Sequence, residues 1–198
     1  MPLSEPVKRH HIHTRRVECF GYIREDGLWD IEGHMTDVKT YGFTSAHRGE
    51  ITPGEPIHNM WLRLTLDDTL TIRDAEASTD HAPYNTCAAI NPDYKQLIGH
   101  QIRPGFTGIT RKLFGGTAGC THLTELLGPI ATTAFQTIFA SNRYGKELIG
   151  QTVPERDPDA PRKRPPHLGT CHALALDGEV VRDFHSDFYE GEKETVEG

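Results

Sequence analysis

No apolar run in this chain approaches the roughly 18 residues that a membrane span needs. Cysteine is scarce too. The four thiols, Cys19, Cys87, Cys120 and Cys171, fall in no CxxC spacing, which excludes a zinc ribbon. A cationic surplus is also missing. With 21 Lys+Arg against 28 Asp+Glu the net charge is −7, so the basic footprint of a dedicated nucleic-acid binder is absent. Gly115, Gly116 and Gly119 come without a P-loop lysine, and no dinucleotide-binding glycine fingerprint occurs. The Met-Pro-Leu-Ser-Glu start lacks the apolar segment of a secretory signal. The expectation is a cytoplasmic chain with reduced thiols, and no membrane or nucleic-acid partner.

Histidine, by contrast, is abundant, at 12 of 198 residues. Imidazole is the usual general base near neutral pH and the commonest metal ligand, so the positions of these residues matter. The hydrophobic pattern supplies the frame in which to place them. Val17, Cys19, Gly21 and Ile23 alternate, Asp26-Gly27 signals a hairpin, and Trp29, Ile31, Gly33 and Met35 continue on one face of a second strand. His58, Met60, Leu62, Leu64 and Leu66 mark a third strand, and residues 71–78 a fourth. Residues 44–56 read as a loop. Short helices are expected over 91–98 and 104–114. A long one spans 120–144, carrying Leu123, Leu126, Leu127, Ile130, Ala131, Ala134, Ile138 and Phe139 on one stripe, kinked at Pro129 and capped by Gly145. The fold class expected is α+β: an antiparallel β-meander with helices packed on one face and a C-terminal β-hairpin. The organisation expected is a flexible arm over 1–14, a core domain over 15–150, a Pro-rich linker over 151–167, a hairpin over 168–190 packing on the core, and a disordered acidic tail over 191–198.

Four segments carry the polar chemistry. In the second strand, period 2 puts Glu32 and His34 on one face, about 7 Å apart at the backbone. Gly33 between them marks a close approach by a ligand or another backbone. In Gly-Glu-Pro-Ile-His-Asn-Met-Trp, His58 sits at the rim of an apolar strand face, where partial desolvation suits a general base. The glycine-rich turn 115–119 runs into Cys120, His122 and Glu125. There the helix N-terminus favours a thiolate, and positions i and i+3 share a face. Asp80, His81 and Cys87 follow the fourth strand. The bland alternatives are an exposed polar sheet face, a core-edge histidine, a glycine turn with a helix cap, and ordinary turn chemistry. His13, Arg15 and Arg16 either belong to a solvated arm or begin a strand that points into a site.

The segments Arg-Arg-Val, Gly-Tyr-Ile-Arg-Glu-Asp-Gly-Leu-Trp-Asp-Ile-Glu-Gly-His-Met-Thr-Asp, Gly-Glu-Pro-Ile-His-Asn-Met-Trp and Gly-Cys-Thr-His-Leu-Thr-Glu-Leu-Leu-Gly-Pro resemble the bacterial DUF2889 family over residues 13–145. The family name assigns no function. The resemblance implies a setting in bacterial catabolism of lignin-derived aromatics, and a cofactor-independent lyase that releases formaldehyde from a phenylcoumaran. A remoter resemblance is to iron–sulfur scaffold proteins of the IscU/NifU type. It implies that His58, Cys87 and Cys120 converge.

Two functions are therefore expected from different classes. One is a lyase acting on a small aromatic substrate, with His58, His34, Glu32, His122 and Glu125 as catalytic candidates. Arg15, Arg16, Trp61 and Tyr84 are then substrate contacts, and no cofactor is needed. The other is a metal-binding module that holds a single zinc through His58, Cys87 and Cys120, with Asp80 or His122 as fourth ligand. A homodimer is left open in either case.

Overall fold

Four long strands form one antiparallel sheet in the order β1-β2-β5-β6. They are β1 (His13–Ile23), β2 (Trp29–Lys39), β5 (Pro56–Leu66) and β6 (Ile72–His81). Between β2 and β5, where the sequence suggested only a loop, β3 (Phe43–Ser45) and β4 (Gly49–Ile51) pair as a small second hairpin. This is a computed structural model, and it describes residues 3–155, 157 and 160–192. Contacts divide the chain into two units, one up to Val153 and one from Pro154 onward.

The alternation read from the sequence holds in β2, where Trp29, Ile31, Gly33, Met35 and Asp37 are buried and the residues between them are not. In β5, Met60, Leu62, Leu64 and Leu66 share that buried face. Asp26-Gly27 makes the expected turn, with Gly27 at φ 84° and its N–H donating to the Arg24 carbonyl at 2.9 Å. His13 and Thr14 lie inside β1, so the arm expected over 1–14 is shorter than drawn.

Helix α1 spans Phe106–Phe114 and helix α2 spans Thr121–Leu148. The segment Cys87–Leu97 is a 3₁₀ helix, followed by Gly99 at φ 86°. Leu123, Leu126, Leu127, Ile130, Ala134 and Ile138 of α2 are all buried, whereas Phe139, expected on the same stripe, is exposed and packs on Phe135. Gly145 does not end α2; the helix runs on to Leu148, and Gly145 lies where a Cβ would strike the Trp29 indole. Gly33 answers a similar demand. A Cβ there would come within 2.7 Å of Ile130 Cδ1. The close approach signalled by this glycine is made by α2, and it sets how near the helix lies to the sheet.

Residues 168–190 contain no strand, contrary to the hairpin expected there. They hold 3₁₀ turns at His172–Leu174 and Ser186–Phe188 and a short helix α3 (Glu179–Phe184). Asp177-Gly178 fails as a hairpin turn because Gly178 takes φ −86°, not the positive φ of a type I′ turn. It caps α3 instead, with Glu179 in the first turn where the helix dipole favours a carboxylate. The acidic tail from 193 on lies outside the described residues.

Candidate active site

Three neighbouring strands place Arg15, Asp37 and His58 in one transverse row, because Arg15 pairs with Asp37 and Asp37 with His58 in the register. All three point to the side of the sheet that α2 covers. A β-bulge follows at once, since Val38 pairs with Pro56 and Ile57 has no partner. Bulges bend a strand and re-aim its side chains, and they are common beside active sites. The first turn of α2 then brings His122 and Glu125 over the row.

Asp37 is the hub. Its side chain is 2% exposed. Oδ1 accepts from His13 Nε2 at 2.9 Å and from Arg15 Nε at 2.9 Å. Oδ2 accepts from Arg15 Nη2 at 2.8 Å and from His58 Nδ1 at 2.9 Å. Burial alone would raise this carboxyl. The Arg15, His13 and His58 donors outweigh burial and hold Asp37 well below the ordinary carboxylate range. Arg15 also reaches Glu125 Oε2 at 2.5 Å, tying β1 to α2.

His58 donates Nδ1–H to Asp37, which leaves Nε2 as its bare lone pair. Burial depresses its pKa first, and the cost of a second charge beside the His122 imidazole adds to the effect. The Asp37 carboxylate opposes both without reversing them. The His58 and His122 rings lie 3.8 Å apart at an interplanar angle of 33°, and His122 Nε2 is 3.9 Å from Asp37 Oδ2. Cys120, the N-cap of α2, stands beside His122. Burial raises its thiol, but the His122 side chain and the amides of Leu123 and His122 draw it below its usual value. Tyr94, fully buried, pins this helix end. Its hydroxyl donates to the Cys120 carbonyl at 3.0 Å, accepts from the Cys120 N–H at 3.2 Å and meets Thr124 Oγ1 at 2.9 Å.

The model of the DUF2889 family, whose description is a protein of unknown function, matches residues 13–136. This chain belongs to the DUF2889 family. The matched span runs from His13 through Glu125 and so contains the whole cluster. No curated protein matches the chain, and no solved structure does.

Within this DUF2889 chain the sequence candidates separate into two faces of one sheet. His58, His122, Glu125, Arg15 and Cys120 come together on the helix side. His34 and Glu32 do not join them, because even-numbered positions of β2 face the other way. His34 stacks on Trp61 with ring centroids 3.8 Å apart and meets Asn59 Oδ1 at 2.7 Å. Glu32 pairs with Arg63 at 3.4 Å. His34 and Glu32, named with His58, His122 and Glu125 as catalytic candidates, therefore do not share a site with them. Arg16 also projects from the open face. Tyr84 is exposed and meets His47 edge-on, and Asp80 accepts from Ser78 Oγ at 3.0 Å. Cys87 opens the 3₁₀ segment, and among the described residues it is not part of the group of ligand atoms that converges at Asp37, His58 and His122.

Asp37 and His13 complete the site. Asp37 had a signal in the sequence: it is the next position of the buried series Trp29, Ile31, Gly33 and Met35, a carboxylate on an apolar face. A cavity of about 190 Å³ lies on the open face, lined by Trp61, Arg63, Glu32, Glu76 and Ser78. The cluster itself is reached at the end of the sheet, past His13 and Arg15, whose side chains are 42% and 37% exposed.

Proposed function

We propose that the Asp37–His58–His122 cluster is an acid–base centre, and that the protein is a cofactor-independent lyase releasing formaldehyde from a phenylcoumaran-type aromatic. The observation that carries the acid–base reading is the hydrogen bond from His58 Nδ1–H to buried Asp37. It fixes the tautomer, leaves the Nε2 lone pair turned away from Asp37, and stabilises the imidazolium that forms when Nε2 takes a proton. The substrate class comes from the family resemblance alone.

The chemistry needs two proton-handling groups close together. His58 Nε2 takes the proton of a phenolic hydroxyl para to the ether-bearing carbon. The electron pair moves through the ring, the ether C–O bond breaks, and a quinone methide and a phenolate result. The phenolate oxygen takes a proton from the His122 imidazolium. Neutral His122 then accepts the proton of the hydroxymethyl O–H, the C–C bond to that carbon breaks, and formaldehyde leaves. The released pair restores the aromatic ring and forms a stilbene double bond, and the ring oxygen recovers its proton from His58. Both imidazoles return to their starting states, and no electrons are gained or lost. The 3.8 Å ring separation supports such a shared role.

A second reading is favoured by one observation: ligand atoms of Asp37, His58 and His122 all lie within 4.8 Å of one another, as a zinc site requires. Against it, the four lone-pair positions of Asp37 are filled by Arg15, His13 and His58 donors. A metal would have to displace a bidentate guanidinium that is also held by Glu125.

The test is to incubate purified protein with phenylcoumarans bearing a free phenol and a hydroxymethyl group, and to assay formaldehyde and stilbene. Equimolar products from dialysed, metal-free protein support the lyase. Turnover that appears only with stoichiometric zinc supports the second reading.

A further inference from the structure

The two edges of the four-stranded sheet are finished differently. The outer edge of β6 is occupied, because Ile72 N–H donates to the His100 carbonyl at 2.9 Å and Gly99 N–H donates to the Ile72 carbonyl at 2.8 Å. Gln101 bridges Thr71 beside it. Further along, the register shifts at Asn59/Met60, and Thr79 Oγ1 donates to Asn91 of the 3₁₀ segment at 2.9 Å. Edge strands are commonly closed in these ways.

β1 has none of this protection. It is 11 residues long, has no proline, and keeps an unbroken register with β2. None of its residues is buried. Among the described residues, no backbone–backbone hydrogen bond of residues 13–23 goes to any strand or loop other than β2, and at the edge only the His13 carbonyl is met, by His11 Nε2 at 3.0 Å. The strand also carries exposed apolar groups: Val17 at 43%, Phe20 at 39% and Tyr22 at 49%, with Ile12 at 55% just before it. An open edge of about 36 Å with apolar side chains is a template for another strand.

We propose that β1 is the interface of a homodimer and pairs antiparallel with β1 of a second copy in a register centred on Val17. The strand's own sequence selects that partner. With a two-fold axis normal to the sheet, positions i and 34 − i′ face each other. On the open face Arg16 then meets Glu18 of the second copy, Thr14 meets Phe20, and Ile12 meets Tyr22, each twice by symmetry. On the helix face the two Val17 side chains meet on the axis. Moving the centre to Arg16 or Glu18 places like charges directly opposite, which is destabilising. The charge order Arg-Val-Glu is thus self-complementary in one register. The result is an eight-stranded sheet with both helix layers on one side, and the β1 edge disappears. This inference is independent of the lyase reading.

The full-length protein is tested by light scattering after gel filtration across about 1–100 µM. The wild type is expected at twice the 22.2 kDa chain mass, Glu18→Lys at the monomer mass, and Arg16→Glu combined with Glu18→Lys at the dimer mass again. Circular dichroism confirms that each variant is folded. Val17→Cys should be joined to its counterpart through position 17 by a short bifunctional thiol reagent, because opposed Cβ atoms in such a pair lie about 5 Å apart. A wild-type monomer throughout, a Glu18→Lys dimer of undiminished affinity, or a double variant that stays monomeric overturns the proposal.

Discussion

Asp37→Asn removes one charge and almost no volume, so its effects follow from hydrogen bonding. In the wild type both carboxylate oxygens accept two hydrogen bonds each. An amide offers one oxygen, and its NH₂ must face either His13 with Arg15 Nε, or His58 with Arg15 Nη2. Facing His58, it forces the imidazole to turn Nδ1 into an acceptor, which moves the proton to Nε2 and removes the base. Facing His13, it leaves donor against donor while His58 keeps a weaker acceptor. Loss of a positioned general base costs about 10²–10⁴-fold in rate, and that is the drop expected in kcat/KM. The stability cost is smaller, about 1–3 kcal/mol for buried donors left poorly matched, because Arg15 and His13 are partly exposed and regain water. Its pH dependence has a definite sign. The Asp37 carboxyl is held below its ordinary value of about 3.9, so its contribution to stability is complete above that value and is lost as pH falls below it. Melting curves for wild type and Asp37→Asn should therefore be separated at pH 7 and converge toward pH 2. Formaldehyde release and differential scanning calorimetry on the same samples read both effects. Asp37→Asn with wild-type turnover refutes the reasoning, as does a melting difference that does not shrink in acid.

Other perturbations separate chemistry from packing. His58→Ala should lose about 10²–10⁴-fold in turnover and about 1–3 kcal/mol of stability, because buried Asp37 loses a donor; loss of stability with turnover per folded molecule intact would make His58 structural. Gly33→Ala should destabilise by about 1–3 kcal/mol through overpacking against Ile130, read by urea denaturation, and an unchanged midpoint would mean α2 stands off the sheet more than described. Tyr94→Phe deletes the hydroxyl that holds Cys120 and Thr124. About 1 kcal/mol of stability should go with it, and kcat should fall as His122 loses its anchor, whereas a melting change with kcat intact would confine Tyr94 to a structural role.

Much of the sheet was legible because period 2 is a strong signal on a half-buried face, and Trp29–Met35 and His58–Leu66 show it plainly. The helix stripe of α2 was equally readable. What the sequence concealed were features set by tertiary contact. Gly145 looks like a helix stop but is a packing site for Trp29. Asp177-Gly178 looks like a hairpin turn but caps a helix. For the candidate site, His58, His122, Glu125 and Arg15 could be named individually because each stands at the end of an element. Their common partner left one trace in the sequence, a carboxylate at the next position of a buried series, but its role shows only once the register sets Asp37 between Arg15 and His58. His34 was assigned to the site because it shares a strand face with Glu32 beside Gly33, and strand parity puts that face on the other side of the sheet.

The central claim is that Asp37 holds His58 as a neutral base with its lone pair on Nε2. Long-range ¹H–¹⁵N correlation spectra of the histidine rings, recorded from pH 5 to pH 8 and assigned with His58→Ala, measure this directly. The account predicts that at pH 7 His58 carries its proton on Nδ1 and that its midpoint lies below 6.5, in line with the depression from burial and His122. A His58 doubly protonated at pH 7, or a neutral ring with the proton on Nε2, would contradict it.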